Sequence, residues 1–226
     1  MPLLEINNLI FRRGDNLIVD NLNLSLQPGE IVCLLGPSGV GKTTLLKLIA
    51  GELIAGSGEI DTCGSRVGYL EQQTSIIPWF DVWNNLILGP RLLKEFNEQK
   101  ELEAQHLGSQ FQLSPHFKKM PEMLSGGMRR RVELGAILLS DPDILLLDEP
   151  TTGLDVVTQE IVHAALTDYV TKHQATALIV THSLEEAARL ASRILIVSAP
   201  PLGELYSGQP DNVASLKNFC MSLWNV

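Results

Sequence analysis

The run Gly36-Pro37-Ser38-Gly39-Val40-Gly41-Lys42-Thr43 has the residue types and spacing needed to enclose a phosphate chain. It fits the pattern G-x-x-x-x-G-K-[ST] and lies between an apolar run, Ile31 to Leu35, and a helical stretch that starts at Lys42. In that setting the glycines let backbone N–H groups close around β- and γ-phosphates, and the helix N-terminus adds the positive end of its dipole. Lys42 is placed to reach the phosphate oxygens, and Thr43 to offer a hydroxyl to Mg²⁺. Thr44 belongs to the same turn. A Gly/Ser turn before an ordinary helix would not account for Lys42 and Thr43.

A second constellation is Ile144-Leu-Leu-Leu-Asp148-Glu149. A buried strand would deliver Asp148 to its carboxyl end, placed to hold Mg²⁺ through water. Side chains alternate along a strand, so Glu149 faces a different target. A glutamate there suits a general base that polarises an attacking water. Alone, an acidic pair ending a strand reads equally well as a solvent-facing terminus; beside the phosphate loop the catalytic reading leads. A third is Leu124-Ser125-Gly126-Gly127-Met128, where a serine and two glycines open another helical stretch, Met128 to Leu139. One site does not need two anion cradles in one chain. Two chains packed head to tail do, because each cradle then closes the other chain's site. An ordinary N-cap on a flexible loop is the plainer alternative. Arg129, Arg130 and Arg131 read as a solvated helix face, with Arg129 spaced i,i+4 to Glu133.

These residues need a scaffold, and the pattern predicts an α/β fold. The opening segment reads as antiparallel strands: Leu22, Leu24 and Leu26 alternate with polar residues before a Pro28-Gly29 turn. Ile31 to Leu35 has no alternation, as expected of a strand covered on both faces. The helix from Lys42 to Ala50 stops at Gly51. Two further apolar runs, Ile144 to Leu147 and Ala177 to Val180, each lead into helical patterns, and Ser183-Leu-Glu-Glu186 has capping-box spacing. Strands alternating with helices imply a mostly parallel sheet whose chemistry gathers at the carboxyl ends of the strands. Residues from about 80 to 139 are rich in Glu, Gln and Leu, mostly helical in pattern from Leu86 to Leu113, and read as an inserted helical subdomain. The expected organisation is one domain: a nucleotide-binding core over 1–79 and 140–205, the helical insert, and a C-terminal extension over 206–226.

Composition narrows the partners. The chain of 226 residues carries 17 basic and 26 acidic side chains, a net charge of −9. That argues against a sequence-independent grip on nucleic acid, which needs a basic face. A single nucleotide remains within reach of one local loop. Cys33, Cys63 and Cys220 are odd in number and share no CxxC spacing, so reduced thiols are expected, with Cys33 a small core residue. Arg12 and Arg13 follow the first apolar residues and Glu5 precedes them, the wrong order for a signal peptide. No apolar run approaches the ~20 residues that span a bilayer. A membrane role would therefore run through a partner, from the cytoplasmic face.

The phosphate loop, the Leu-Ser-Gly-Gly run and Leu-Leu-Leu-Asp-Glu-Pro occur in an order and spacing that resemble the nucleotide-binding subunit of ABC transporters, from near residue 3 to about 205. The resemblance implies the P-loop NTPase core just described, with an antiparallel β subdomain and an inserted α-helical subdomain. It implies ATP and Mg²⁺ as cofactors. It also implies roles for residues that carry no signal alone. Gln72 resembles the glutamine that bridges Mg²⁺ to the permease-sensing loop, with Pro78-Trp79 downstream. Thr151 to Asp155 resembles the loop that crosses the dimer interface. His182 resembles the switch histidine at the γ-phosphate, and Phe11 the aromatic that stacks on adenine. The sequence departs from the pattern at Leu70-Glu71 before Gln72, at Arg130 where glutamine is common, and at Ser183 where aspartate is frequent.

The stretches Ile76 to Asn85 and Ile194 to Pro201 resemble importers of nitrate, sulfonate, taurine and related solutes. The implied assembly is a dimer of this chain or of this chain with a paralogue, under integral membrane permease subunits, with a solute-binding protein acting indirectly. The alternatives are an exporter or lipoprotein-release ATPase, and a non-transport ABC ATPase acting on ribosomes or DNA.

Overall fold

The computed structural model describes residues 1–73, 75–208 and 213–224. The chain divides into two compact units. The first comprises 1–69, 143–149 and 170–226, and the second 70–142 and 150–169.

The first unit contains two sheets. In the smaller one, β1 (Leu4–Arg13) lies between β2 (Asn16–Leu26) and β4 (Ser57–Asp61), antiparallel to both. Leu22, Leu24 and Leu26 of β2 point into the core, as their alternation predicts. The β1–β2 ladder slips register near Asn8 and Asn21, both in the left-handed region at φ 50° and 48°. Asparagine tolerates that conformation, and the Asn8 amide displaced from the ladder donates to Asn23 Oδ1 at 2.9 Å.

The larger sheet runs in the order β5 (Val67–Leu70), β6 (Ile144–Asp148), β7 (Thr176–Val180), β3 (Ile31–Leu35), β8 (Arg193–Ile196), β9 (Tyr206–Gly208). β6, β7, β3 and β8 are parallel neighbours, and β9 pairs antiparallel to β8. Every residue of β3, β6 and β7 is buried, which is why these runs lack alternation. Helix α1 (Lys42–Ile49) packs Leu45, Leu46, Leu48 and Ile49 into one core with the leucines of β1 and β2 and with Leu34, Leu146 and Leu178. Each such side chain contributes about 2 kcal/mol of transfer free energy. Cys33 lies within this sheet, and burial pushes its thiol far up, as befits an inert core residue. Within 206–226, β9 and α8 (Val213–Trp224) are defined, and Trp224 Nε1 donates to the Val197 carbonyl at 2.9 Å. Positions 209–212 and 225–226 of that extension lie outside the described residues.

The second unit is helical. Its elements are α2 (Val82–Leu86), α3 (Leu88–Leu92), α4 (Glu98–Gln110), α5 (Gly126–Leu138) and most of α6 (Val156–His173). The stretch read as mostly helical from Leu86 to Leu113 is helical, in pieces that break at Ile87 and again after α3. Pro90 has no N–H to give the carbonyl four residues back, so the helix restarts rather than continues. Side-chain caps set the starts: Asp81 accepts from the Asn84 amide, Asn97 from Lys100 and Ser125 from Met128. Asn85 is buried, and its amide ties α2 to the 77–81 segment through the carbonyls of Ile77, Phe80 and Asp81. Among the described residues, no helix is long and apolar enough to cross a membrane.

Candidate active site

In the first unit the chemistry gathers where three neighbouring parallel strands end. β3 runs into the Gly36–Gly41 loop, β6 ends at Asp148, and β7 (Thr176–Val180) leads to Thr181 and His182. Leu34 and Asp148 both pair in register with Val180, so the loop, the acidic pair and the histidine all leave one edge of the sheet. Val40 is buried and anchors the loop, while Ser38, Gly39 and Thr43 remain exposed. Gly41 holds φ 110°, and a Cβ there would stand 3.1 Å from Ile18 Cγ2 and 3.2 Å from the Ile18 carbonyl oxygen. Only glycine fits that turn without displacing β2.

Gly41 is also the N-cap of α1, and it has no side chain to accept from the first turn. Helices α2, α4 and α5, and α7 (Leu184–Leu190) with Ser183, all have such a cap. The first-turn N–H groups of α1 thus keep their hydrogen-bonding capacity for an anion, the arrangement a triphosphate requires. Lys42 Nζ donates to the carbonyls of Gly36 at 2.7 Å and Pro37 at 2.9 Å, which folds its charge over the loop. Burial pushes the Lys42 ammonium down, against the upward pull of the nearby Glu149 and Asp148 carboxylates.

Asp148 is 2% exposed, and a carboxylate oxygen, like the exposed hydroxyl of Thr43, is the kind of donor that suits a hard cation. Glu149 adopts φ 48°, the left-handed region, with its amide donating to the Val180 carbonyl at 2.8 Å. A glutamate in that region is strained by about 1–2 kcal/mol, and such strain concentrates where function fixes a side chain. The strained backbone sends the Glu149 carboxylate to His182, whose Nδ1 lies 3.1 Å from Oε1. The Nδ1–H tautomer donates there and leaves Nε2 of an exposed ring for another contact. Ser183 follows as the α7 cap, accepting from the Glu186 amide as its spacing predicts. Phe11 is 9% exposed and belongs to the core, opposite Val19 in the β1–β2 ladder; most of its ring is covered by the unit itself.

The remaining sequence candidates lie in the second unit. Gln72 is exposed in the bend after β5, followed by exposed Pro78 and Trp79. Ser125 caps α5, Gly126 is open, and Gly127 is close-packed against Leu154 and Thr158. Asp155 caps α6, accepting from the Thr158 amide at 3.0 Å and hydroxyl at 2.7 Å; these bonds hold its carboxyl below the usual range. Lys42, Asp148, Glu149 and His182 therefore meet within one unit, and the Ser125–Gly127 turn and Asp155 meet within the other.

The arginine run is not a solvated face. Arg131 is buried, its Nη1 donating to the Phe111 carbonyl at 2.7 Å. Arg130, rather than Arg129, pairs with Glu133, at i,i+3. The α5 face toward Glu133 is turned inward, so a charge run that reads as surface is partly folded under. Arg130 and Glu133 are functional candidates that spacing alone passed over; the departure at Arg130 was their only trace in the sequence.

The ABC transporter family pattern matches residues 19–152. The chain is 37% identical to an aliphatic sulfonates import ATP-binding protein of Pseudomonas syringae, over 86% of this chain and 69% of that protein. It is 37% identical to a taurine import ATP-binding protein of Roseobacter denitrificans, over 91% and 81%. The fold superposes on the solved ATP-binding subunit of an ABC transporter with a TM-score of 0.86 and 21% identity, covering 99% of this chain and 98% of that one. With its phosphate loop, its acidic strand end and Ser125–Gly127 as its signature turn carried on that fold, the chain belongs to the ATP-binding subunits of the ABC transporter family, the ATPases that energise transport.

Proposed function

We propose that the chain hydrolyses ATP with Mg²⁺ to drive a small solute through a separate integral membrane permease, and that it works as a head-to-tail dimer with itself or a paralogue. The observation that carries this reading is the convergence of Lys42, Asp148, Glu149 and His182 where β3, β6 and β7 end. Bound ATP supplies the phosphoryl group whose transfer to water is the reaction. Lys42 and the first-turn N–H groups of α1, with Gly36 to Thr44, bind its phosphates. Thr43 and Asp148 hold Mg²⁺, with Gln72 joining them. Phe11 offers adenine the margin of its ring. Glu149 takes the proton of the attacking water, and His182 holds that carboxylate through Nδ1 while Nε2 serves the γ-phosphate.

Ser125, Gly126 and Gly127 of the second copy close the site, and Asp155 lies at the same dimer interface. A lid assembled from another chain makes hydrolysis depend on closure, so that turnover can drive a permease. The solute is a small molecule of the nitrate, sulfonate or taurine kind, as the import proteins similar to this chain carry those names. It is taken up with the indirect help of a solute-binding protein, in a bacterial system. The chain sits peripherally at the cytoplasmic face. Its net charge of −9 is consistent with a protein partner rather than nucleic acid.

Glu149→Gln tests the reaction. It should keep ATP affinity, lower turnover by about 100-fold or more, and accumulate as an ATP-bound dimer on size exclusion. Parent-like turnover would remove Glu149 as the base. Affinity purification of the intact chain from its host membranes should recover an integral membrane protein; recovery of ribosomes or DNA instead would overturn the transport reading.

A further inference from the structure

Arg130 lies on α5 one turn beyond Ser125, and its side chain is only 11% exposed. Its Nη1 donates to the Glu71 carbonyl at 2.5 Å and its Nε to the Pro150 carbonyl at 3.2 Å. Glu133, whose side chain is 2% exposed, meets the same guanidinium at 3.4 Å, and its other oxygen accepts from the Ser75 amide at 2.8 Å. One planar fork on the helix that opens at the signature turn therefore grips backbone on either side of it. One carbonyl immediately precedes Gln72, and the other immediately follows Glu149. Both lie at points where the chain passes from one compact unit to the other, at 69/70 and at 149/150.

A helix-surface pair does not aim a largely buried guanidinium at two carbonyls, and a lysine could not reproduce the fork. We propose that Arg130, held by Glu133, is a positioning residue for hydrolysis. It fixes the segments carrying Gln72 and following Glu149 to the helix that presents Ser125, Gly126 and Gly127. Engagement of the signature turn and alignment of the base thereby become one event. The inference rests on the roles given above to Gln72, Glu149 and the signature turn.

The test compares Arg130→Met, Arg130→Lys and Glu133→Gln in the full-length chain, alongside Glu149→Gln. Turnover and KM are measured per folded chain, and ATP affinity by titration with a fluorescent ATP analogue. Arg130→Met should lower kcat on the order of 10- to 100-fold while ATP affinity stays within about twofold, because the phosphate loop is untouched. Arg130→Lys should recover only part of the rate, and Glu133→Gln should fall between Arg130→Met and the parent. In the Glu149→Gln background, Arg130→Met should raise the ATP concentration needed for dimerisation. A role confined to folding predicts a lower melting temperature with parent kcat per folded chain, and that result overturns the proposal. Should Arg130→Met not fold, parent kcat in both Arg130→Lys and Glu133→Gln overturns it equally. An active Glu149→Gln defeats the underlying reading of the base; an inactive Glu149→Gln beside a parent-like Arg130→Met defeats this inference alone.

Discussion

Replacing Glu149 by glycine and, separately, by alanine measures the conformational strain stored at the base. Glu149 sits at φ 48° with its amide held by the Val180 carbonyl, so the backbone has little freedom to leave the left-handed region. A residue with a Cβ is strained there by about 1–2 kcal/mol. Glycine escapes that strain, but its greater freedom in the unfolded chain takes back about 0.5–1 kcal/mol. Both variants lose the His182 contact, which cancels between them. Glycine should therefore be the more stable, by up to about 1.5 kcal/mol. For a chain of 226 residues, each kcal/mol corresponds to about 2–4 °C, giving a difference of up to about 6 °C in Tm. Differential scanning calorimetry of the two proteins without nucleotide reads this directly, and neither should hydrolyse ATP. In ordinary helix or strand positions alanine wins by about 0.5–1 kcal/mol. An alanine variant that melts above the glycine variant would refute a left-handed Glu149 and the strain built on it.

Gly41→Ala should cost about 1–3 kcal/mol, because its Cβ would press on Ile18 at an unfavourable φ; parent-like melting and nucleotide titration would contradict it. Lys42→Ala should weaken ATP binding about 10- to 100-fold, the worth of a charged hydrogen bond, and isothermal titration that finds parent affinity would count against the phosphate loop. Tyr169→Phe removes the buried bond from Oη to the Pro142 carbonyl, 3.0 Å long, and should lower stability by about 1 kcal/mol in urea unfolding.

The phosphate loop, the acidic strand end and the Ser183 cap could be read from sequence because each is a local device. Its residues are neighbours in the chain, and their types admit few other uses. The uninterrupted apolar runs of β3, β6 and β7 were legible for a similar reason, since only a doubly covered strand lacks alternation. What escaped depends on distant partners. Nothing about Glu149 announces a left-handed backbone, because glutamate has no preference for it; the Val180 carbonyl across the sheet imposes it. Arg130 and Arg131 look like surface until the carbonyls of Glu71, Pro150 and Phe111 are known to lie within reach. Phe11 illustrates the opposite limit. Its motif position suggests a nucleobase contact, while its strand register commits most of the ring to the core.

Strand β3 has a consequence for synthesis. It pairs with β7 on one side and β8 on the other, and β8 begins only at Arg193. At about 5–20 residues per second, the ribosome needs on the order of 10–30 s after finishing β3 to emit the second of these neighbours. Until β7 and then β8 emerge, the nascent chain carries Ile31-Val-Cys-Leu-Leu35 without its sheet neighbours. A flat, uncharged, β-favouring pentapeptide is also a good template for pairing between chains. The same buried strand that seats the phosphate loop is therefore open to pairing between chains until its own neighbours are made.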